Sequence, residues 1–281
     1  MAWTFTDDVG AYGAAIGELL SSEPERHTVL LSVLAVLSRR GPQAFADVPP
    51  VLGWWPSEGA PLAAVLQTPP WPMLLTALPG KSADQLAQAI ADRGATLTAV
   101  NGPVADAAAV AAAWRTVTGI TGRTRQRQRL YRLGELTPPE PAPPGAARIA
   151  SAADAAGVVG PWFSAFTAEI GEPREANDVA ADRVDSGQVM LWEVGGEPVS
   201  MAAHTDVLAG VARVGAVFTP PDRRGRGYAG AVTAAVSKLA LARGAGSVIL
   251  FTDLANPTSN ALYRRIGYEP VEDRVVLVFG N

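Results

Sequence analysis

Residues 219 to 232 read TPPDRRGRGYAGAV, with two prolines, three arginines and three glycines set between an apolar run and an Ala-rich one. The chemistry open to such a stretch is anion binding. The N–H groups that begin a helix have no carbonyl one turn back and sit at the positive end of its dipole, so phosphate oxygens are stabilised there. Gly225 and Gly227 let backbone approach a bulky anion without a Cβ in the way and can take a positive φ. Arg223, Arg224 and Arg226 add charge suited to phosphate. A solvated basic turn that only caps a helix has the same composition. GRGYAG also satisfies G-x-G-x-x-G, and Asp253 ends an apolar strand where a ribose-binding acid would lie. The context does not fit that fingerprint: PPDRR separates the strand from the glycines, the upstream strands are joined by turns too short for parallel crossovers, and residues 254 to 281 leave room for one helix and one strand. No G-K-[ST] closes the loop, so it is not a P-loop.

The elements that must position this loop occur twice. Five prolines in LTPPEPAPPGAA, 136 to 147, predict an extended, semi-rigid connector near the middle of the chain. On each side the same order follows. VLGWWPSEGAPLAAVLQTPPWPMLLTAL and VMLWEVGGEPVSMAAHTDVLAGVARVGAVFT each place a Trp-bearing strand, a Gly-containing turn, a second strand, another turn and a third strand, which predicts an antiparallel meander. Next come a helix ending on Gly (82 to 94; 228 to 244), a strand (ATLTAV; SVILFTD), a second helix bearing Trp114 or Tyr263, and a last strand (RQRLYRLGEL; RVVLVF). This predicts an α/β (α+β) chain of two tandem domains, each a mixed, mainly antiparallel sheet flanked by helices: 1–136, a linker 137–145, and 146–281. Where the second copy has TPPDRRGRGYAGAV, the first has only LPGKSADQL. The fold does without the glycine and arginine loop in one copy, which points to a ligand in the other.

Over roughly residues 146 to 279 the chain resembles the GNAT superfamily of N-acetyltransferases. The acetyl-CoA signature R/Q-x-x-G-x-G/A is matched by Arg224, Gly225, Arg226, Gly227, Tyr228 and Ala229, after the strand VGAVFT and before the expected helix. A second family element, N-x-x-(S/A)-x-x-L-Y-x-x-x-G-(F/Y), is matched by NPTSNALYRRIGY, 256 to 268. The resemblance implies that backbone N–H groups of residues 225 to 230, through Gly230, cradle the CoA diphosphate. It also implies that main-chain groups of Val217, Phe218 and Thr219 pair with the pantetheine arm, and that Asn256 contacts the cofactor. The first half lacks both motifs in usable form and is expected to be catalytically silent.

Family chemistry is direct transfer, in which an amine attacks the thioester carbonyl and the CoA thiolate leaves. The resemblance assigns the oxyanion to backbone N–H near Phe218 or Thr219. It makes Tyr263, whose phenol has an ordinary pKa of about 10, the donor to the leaving thiolate. Some members carry a Glu on the strand before the loop; ARVGAVFT has none. Glu169 heads the candidates for the base, ahead of Glu172, His204 and Asp253, and water suffices for a partly neutral amine. The expected activity is acetyl-CoA-dependent N-acetyl transfer to a primary amine of a small molecule or peptide, within the acyltransferases that move groups other than aminoacyl. The alternative is a non-catalytic acyl-CoA sensor that keeps RRGRGYAG but never positions an amine.

Composition removes other classes. The chain has no cysteine, so disulfides, thiolate nucleophiles and Cys-ligated zinc are excluded. Its two histidines, His27 and His204, lie far apart, and no metal is expected. A net charge of −4 over 281 residues gives no field for a nucleic-acid partner. The start MAWTFTDDVG lacks a signal-peptide pattern, and VLLSVLAVL is too short to span a bilayer. A cytoplasmic, Arg- and Ala-rich bacterial protein without membrane partner, monomeric or homodimeric, is the expectation.

Overall fold

The computed structural model describes residues 2–171 and 177–280. The first half gives β1 (Thr4–Thr6), α1 (Val9–Ser22), α2 (Thr28–Arg40), β2 (Val51–Trp55), β3 (Ala63–Gln67), β4 (Met73–Leu75), α3 (Ser82–Asp92), β5 (Ala99–Pro103), α4 (Val104–Thr118) and β6 (Gly122–Leu133). The second half gives β7 (Ala146–Ile149), α5 (Ala152–Asp154), α6 (Gly160–Glu169), α7 (Asn177–Asp185), β8 (Val189–Val194), β9 (Glu197–His204), β10 (Val211–Phe218), α8 (Tyr228–Ala242), β11 (Ser247–Asp253), α9 (Pro257–Arg265) and β12 (Tyr268–Phe279). The expected order is present twice. ATLTAV departs from expectation: residues 95–98 are outside any strand and β5 starts at Ala99, where its parallel partner β4 sets the register at Met73↔Val100 and Leu74↔Asn101.

Both halves build their sheets by the same pairing. β1–β2, β2–β3 and β3–β4 are antiparallel and β4–β5 parallel. β7–β8, β8–β9 and β9–β10 are antiparallel and β10–β11 parallel. Short turns permit the antiparallel pairs, whereas each parallel pair needs a crossover, supplied by α3 in one half and α8 in the other. The architecture is therefore mixed and mainly antiparallel in each half, as the patterning predicts.

The compact units are not contiguous in sequence. Unit 1 holds Met1–Leu130, Asp253–Ala255 and Val271–Asn281, and unit 2 holds Tyr131–Thr252 and Asn256–Pro270. In unit 1 the place beside β5 is taken by the end of β12, in register from Arg274↔Pro103 to Val278↔Ala99. In unit 2 the strand order runs β6-β11-β10-β9-β8-β7, with β6 represented from Tyr131 onward. Each sheet is thus completed by the final strand of the other half of the sequence. Val275 packs in the unit 1 core and Tyr131, fully buried, in the unit 2 core.

Alternation along the strands sorts side chains to two faces. In unit 1, Ala63 and Val65 face the α3 and α4 side with Leu86 and Trp114, while Ala64 and Leu66 face α1 and α2 with Tyr12 and Leu37. Helices on both faces explain why β3 is buried at every residue. In unit 2, Ala202, Ala212 and Val214 pack with Val232 and Val236 of α8, while Met201 and Ala203 pack with Phe163 of α6 and Val184 of α7. No helix of the described residues is long and apolar enough to cross a membrane.

The proline segment lies against unit 2. Thr137 N–H donates to the Ile266 carbonyl at 3.1 Å, and the Pro144 carbonyl accepts from Trp192 Nε1 at 2.9 Å. Between these ties, a Cβ built on Gly230 would lie 3.4 Å from Pro139 and one on Gly227 3.6 Å from Pro143. The small residues of the first turn of α8 let the extended segment cross closely.

Candidate active site

The residues of VGAVFT look like an ordinary strand, yet β10 changes face partway along. Ala212 and Val214 belong to the α8 face, whereas Ala216 and Phe218 belong to the α6 face and Val217 packs with the α8 side. A strict period of two would keep 212, 214, 216 and 218 together. The break is a β-bulge: Gly215 opposes Ala203 and Phe218 opposes Met201, three steps on one strand against two on the other. Ala216 takes a φ of 50° to make it, a left-handed conformation that costs a non-glycine residue about 1–2 kcal/mol.

The bulge parts β10 from β11. Their parallel pairing runs from Val211↔Ser247 to Val214↔Leu250; beyond it β10 continues to Phe218 and β11 to Asp253. The end of β10 is braced from its other side. Ser200 Oγ, fully buried on β9, donates to the Phe218 carbonyl at 3.0 Å and lies 2.8 Å from Thr219 Oγ1. Trp162 of α6 meets the Phe218 ring with centroids 5.9 Å apart. Ser200 is not among the residues the sequence motifs point to, although a lone serine inside the apolar run VSMAA is a readable signal.

Beyond Phe218 the chain makes a short 3-10 turn, Pro221–Arg223, and then the glycine loop. Gly225 and Gly227 have φ of 76° and 84°, so both glycines are required by the backbone. A Cβ at Gly225 would meet nothing within 4 Å, which leaves open space beside the loop. Gly227 caps α8 with no side-chain hydrogen bond, so the first-turn N–H groups at Tyr228, Ala229 and Gly230 keep the donor character of an open helix start. The three arginines are mostly turned toward the protein. Arg223 pairs with Glu197 and Asp222, and Arg226 donates to the Asp222 carbonyl at 3.3 Å. Arg224 donates from Nε to the Thr219 carbonyl at 2.8 Å and from Nη2 to Glu169 at 2.5 Å.

Tyr263, on α9, is buried and meets Tyr268 edge to face. Burial pushes its phenol up to about 12, and among the described residues its hydroxyl has no hydrogen-bond partner. Asn256 is the N-cap of α9, its side chain accepting from Ser259 N–H at 3.0 Å. That is the ordinary work of an Asn before Pro at a helix start.

The other acidic or basic candidates among the described residues have partners of their own. His204 is buried at the end of β9; Nδ1 lies 2.8 Å from the Thr205 carbonyl and burial lowers its pKa, with Arg243 and Arg183 adding to the effect. Arg243 follows the C-terminus of α8, about 22 Å along the helix from the glycine loop. Asp253 accepts from Ala255 N–H and Gln126 Nε2 and belongs to unit 1. Glu172 lies outside the described residues. Among the described residues no three His, Asp or Glu side chains gather as metal ligands would.

The same joint in the first half is closed. Leu78 N–H donates to Asp106 at 2.8 Å, the Leu75 carbonyl accepts from buried Arg274 at 3.1 Å, and Thr76 bonds back to Ala64. Gly102 comes so near Leu75 that an added Cβ would sit 2.9 Å from its Cβ. Trp114 fills the place that corresponds to Tyr263 and is a core residue.

Residues 160–268 match the model of the acetyltransferase (GNAT) family. No curated protein matches the chain. A Drosophila protein of solved structure shares the fold over 98% of this chain and 98% of its own, with a TM-score of 0.66 at 14% identity. A GCN5-related N-acetyltransferase from Sphaerobacter thermophilus does so over 98% and 94%, at 0.62 and 19%. A GNAT-family acetyltransferase from Colwellia psychrerythraea covers 88% of this chain and 97% of its own, at 0.58 and 14%. At such identities the likeness establishes the fold, which is GNAT-like across both halves. Over residues 160–268 the chain is thus similar to the GNAT family of acetyltransferases, within a fold that is GNAT-like in both halves.

Proposed function

We propose that the chain is an acetyl-CoA-dependent N-acetyltransferase acting on a primary amine of a small molecule or peptide. The observation that carries this reading is the parting of β10 from β11 beside the open N-terminus of α8. A donor that is an amide-bearing arm ending in a diphosphate fits both parts. Strand-edge groups at Val217, Phe218 and Thr219 suit the arm, and the N–H groups of Gly225, Arg226, Gly227, Tyr228, Ala229 and Gly230 suit the diphosphate. Because Ser200 and Arg224 already bond the Phe218 and Thr219 carbonyls, we assign Val217 and the Phe218 and Thr219 N–H groups the larger share.

Bound acetyl-CoA supplies an activated acyl thioester. The residues of this chain hold it, donate to developing negative charge from backbone N–H at Phe218 or Thr219, and keep a proton on Tyr263 Oη for the departing sulfur. A phenol pushed up to about 12 is protonated at neutral pH and so is in the donor form. The Glu169 carboxylate is engaged by Arg224, and we leave removal of the amine proton to water. Asn256 supports the site by starting α9. We read residues 1–136 as a silent duplicate of the module at 146–281, joined by 137–145, because the Asp106 and Arg274 side chains occupy groups that a donor would use.

A screen of an amine library for CoA released from acetyl-CoA by the full chain tests the proposal. Release with at least one amine class, together with the mass of the acetylated amine, supports it. Tight acetyl-CoA binding with no release across the library would instead identify a sensor.

A further inference from the structure

We infer that Glu169 is a positioning residue for the anion-holding loop, fixing Arg224 as a brace for that loop; the inference rests on the donor site proposed above. Trp162, Phe166 and Glu169 recur at helical spacing, so α6 presents them on one face. Trp162 lies against Phe218, Phe166 packs on the same apolar cluster, and Glu169 takes the guanidinium of Arg224. That guanidinium stands 5.9 Å above the Phe218 ring and donates from Nε to the Thr219 carbonyl. Thr219 Oγ1 in turn meets Ser200. Arg224 therefore uses its planar fork on three protein groups at the root of the loop: a carboxylate, a ring and a carbonyl. An arginine so committed shapes the loop and leaves the diphosphate to the backbone donors.

This makes a different demand on Glu169 from proton transfer. A base must give up its ion pair to work, whereas a brace must keep it. Loss of the carboxylate should weaken donor binding and leave the acid–base step alone. Both side chains are close to half exposed, so the effect is small.

The test uses the full chain with E169Q, E169D, R224Q and E169Q/R224Q. It measures CoA affinity by calorimetry, KM and kcat for acetyl-CoA with the best amine, and the pH profile of kcat. For E169Q the expectation is a roughly threefold rise in CoA Kd and KM, the size a half-exposed ion pair permits, with kcat and its acidic limb unmoved. E169D should recover most of the affinity, and the double variant should bind no more weakly than R224Q alone. An unfolding midpoint like that of the native chain excludes general damage. A fall in kcat with a moved acidic limb at unchanged Kd would make Glu169 the base and overturn the inference. Unchanged CoA affinity, or additive losses in the double variant, would overturn it too while leaving the proposed activity standing. A native chain that neither binds CoA nor releases it would remove the activity and this inference together.

Discussion

Tyr263 meets Tyr268 edge to face with ring centroids 6.1 Å apart, and Ser237 engages the Tyr268 hydroxyl at 2.7 Å. Two neighbouring phenols therefore have different work. One hydroxyl is tied into the core by Ser237, and the other has no hydrogen-bond partner among the described residues. Replacing Tyr263 by Phe should lower kcat by tenfold or more, toward the low end of what a general acid contributes, with KM for acetyl-CoA little changed. Replacing Tyr268 by Phe should lower the unfolding midpoint and spare kcat. Since burial holds the Tyr263 phenol up near 12, kcat should show no loss through tyrosine ionisation in the neutral range. Unchanged turnover in Y263F would remove the residue from the reaction.

The two loop glycines separate backbone strain from crowding. Gly225 has a positive φ and open space, while Gly227 has a positive φ and Pro143 beside it at ordinary contact distance. An alanine at either position is forced toward the left-handed region at a cost of about 1 kcal/mol or more. Both variants should lose CoA affinity by about tenfold if the loop shifts to relieve the strain. The unfolding midpoint should fall by only a few degrees, and isothermal titration with CoA reads the difference.

Acid sensitivity should come from the histidines. His27 and His204 are buried and each ring Nδ1 faces a backbone carbonyl. For both, burial is the largest cause that lowers the pKa below its ordinary value. As pH falls, the unfolded chain takes these protons first, near pH 6.5. The stability they contribute is present above that pH and is lost as pH falls toward the lower, folded values. Urea midpoints should therefore drop between pH 7.5 and 5.5. H204N should flatten that dependence; a dependence identical to the native chain would locate the sensitivity elsewhere.

Cutting the chain within the proline segment should not yield two folded halves. A fragment ending near 136 keeps β5 but lacks Val275 and the partner strand from Arg274 to Val278. A fragment starting near 146 lacks Tyr131 from its core, and lacks the prolines that lie on Gly227 and Gly230. Each alone should show poor dispersion by NMR and broad unfolding, and mixing the two should restore a cooperative transition. A fragment that folds cooperatively alone would refute this.

The repeat was legible because patterning reports faces: AAVLQ and SMAAH alternate against two layers, and both crossover helices announce themselves by Gly at their ends. The glycine loop was legible because local backbone geometry demands particular residues. Three features were hidden for physical reasons. The bulge at Ala216 lies in a run of small residues whose left-handed member carries no sequence mark, since Ala is compatible with any strand. The cap that Asn256 places on α9, accepting from Ser259 N–H, is masked because the same residue opens the family motif. The completion of each sheet by the other half's last strand is a long-range pairing, and no local propensity encodes which of two similar sheets RVVLVF or RQRLYRL will join.

That crossed completion sets an order of events during synthesis. Tyr131 emerges from the ribosome before any element of unit 2, so that sheet can close once residue 270 has been made. Unit 1, although first in the message, must hold β5 with an unpaired edge until residues 271 to 279 arrive. An open strand edge is a site for pairing with the wrong chain. The half that is translated first is thus the half that finishes last, and the nascent chain carries its aggregation risk at β5 from the synthesis of residue 103 until residues 271 to 279 are made.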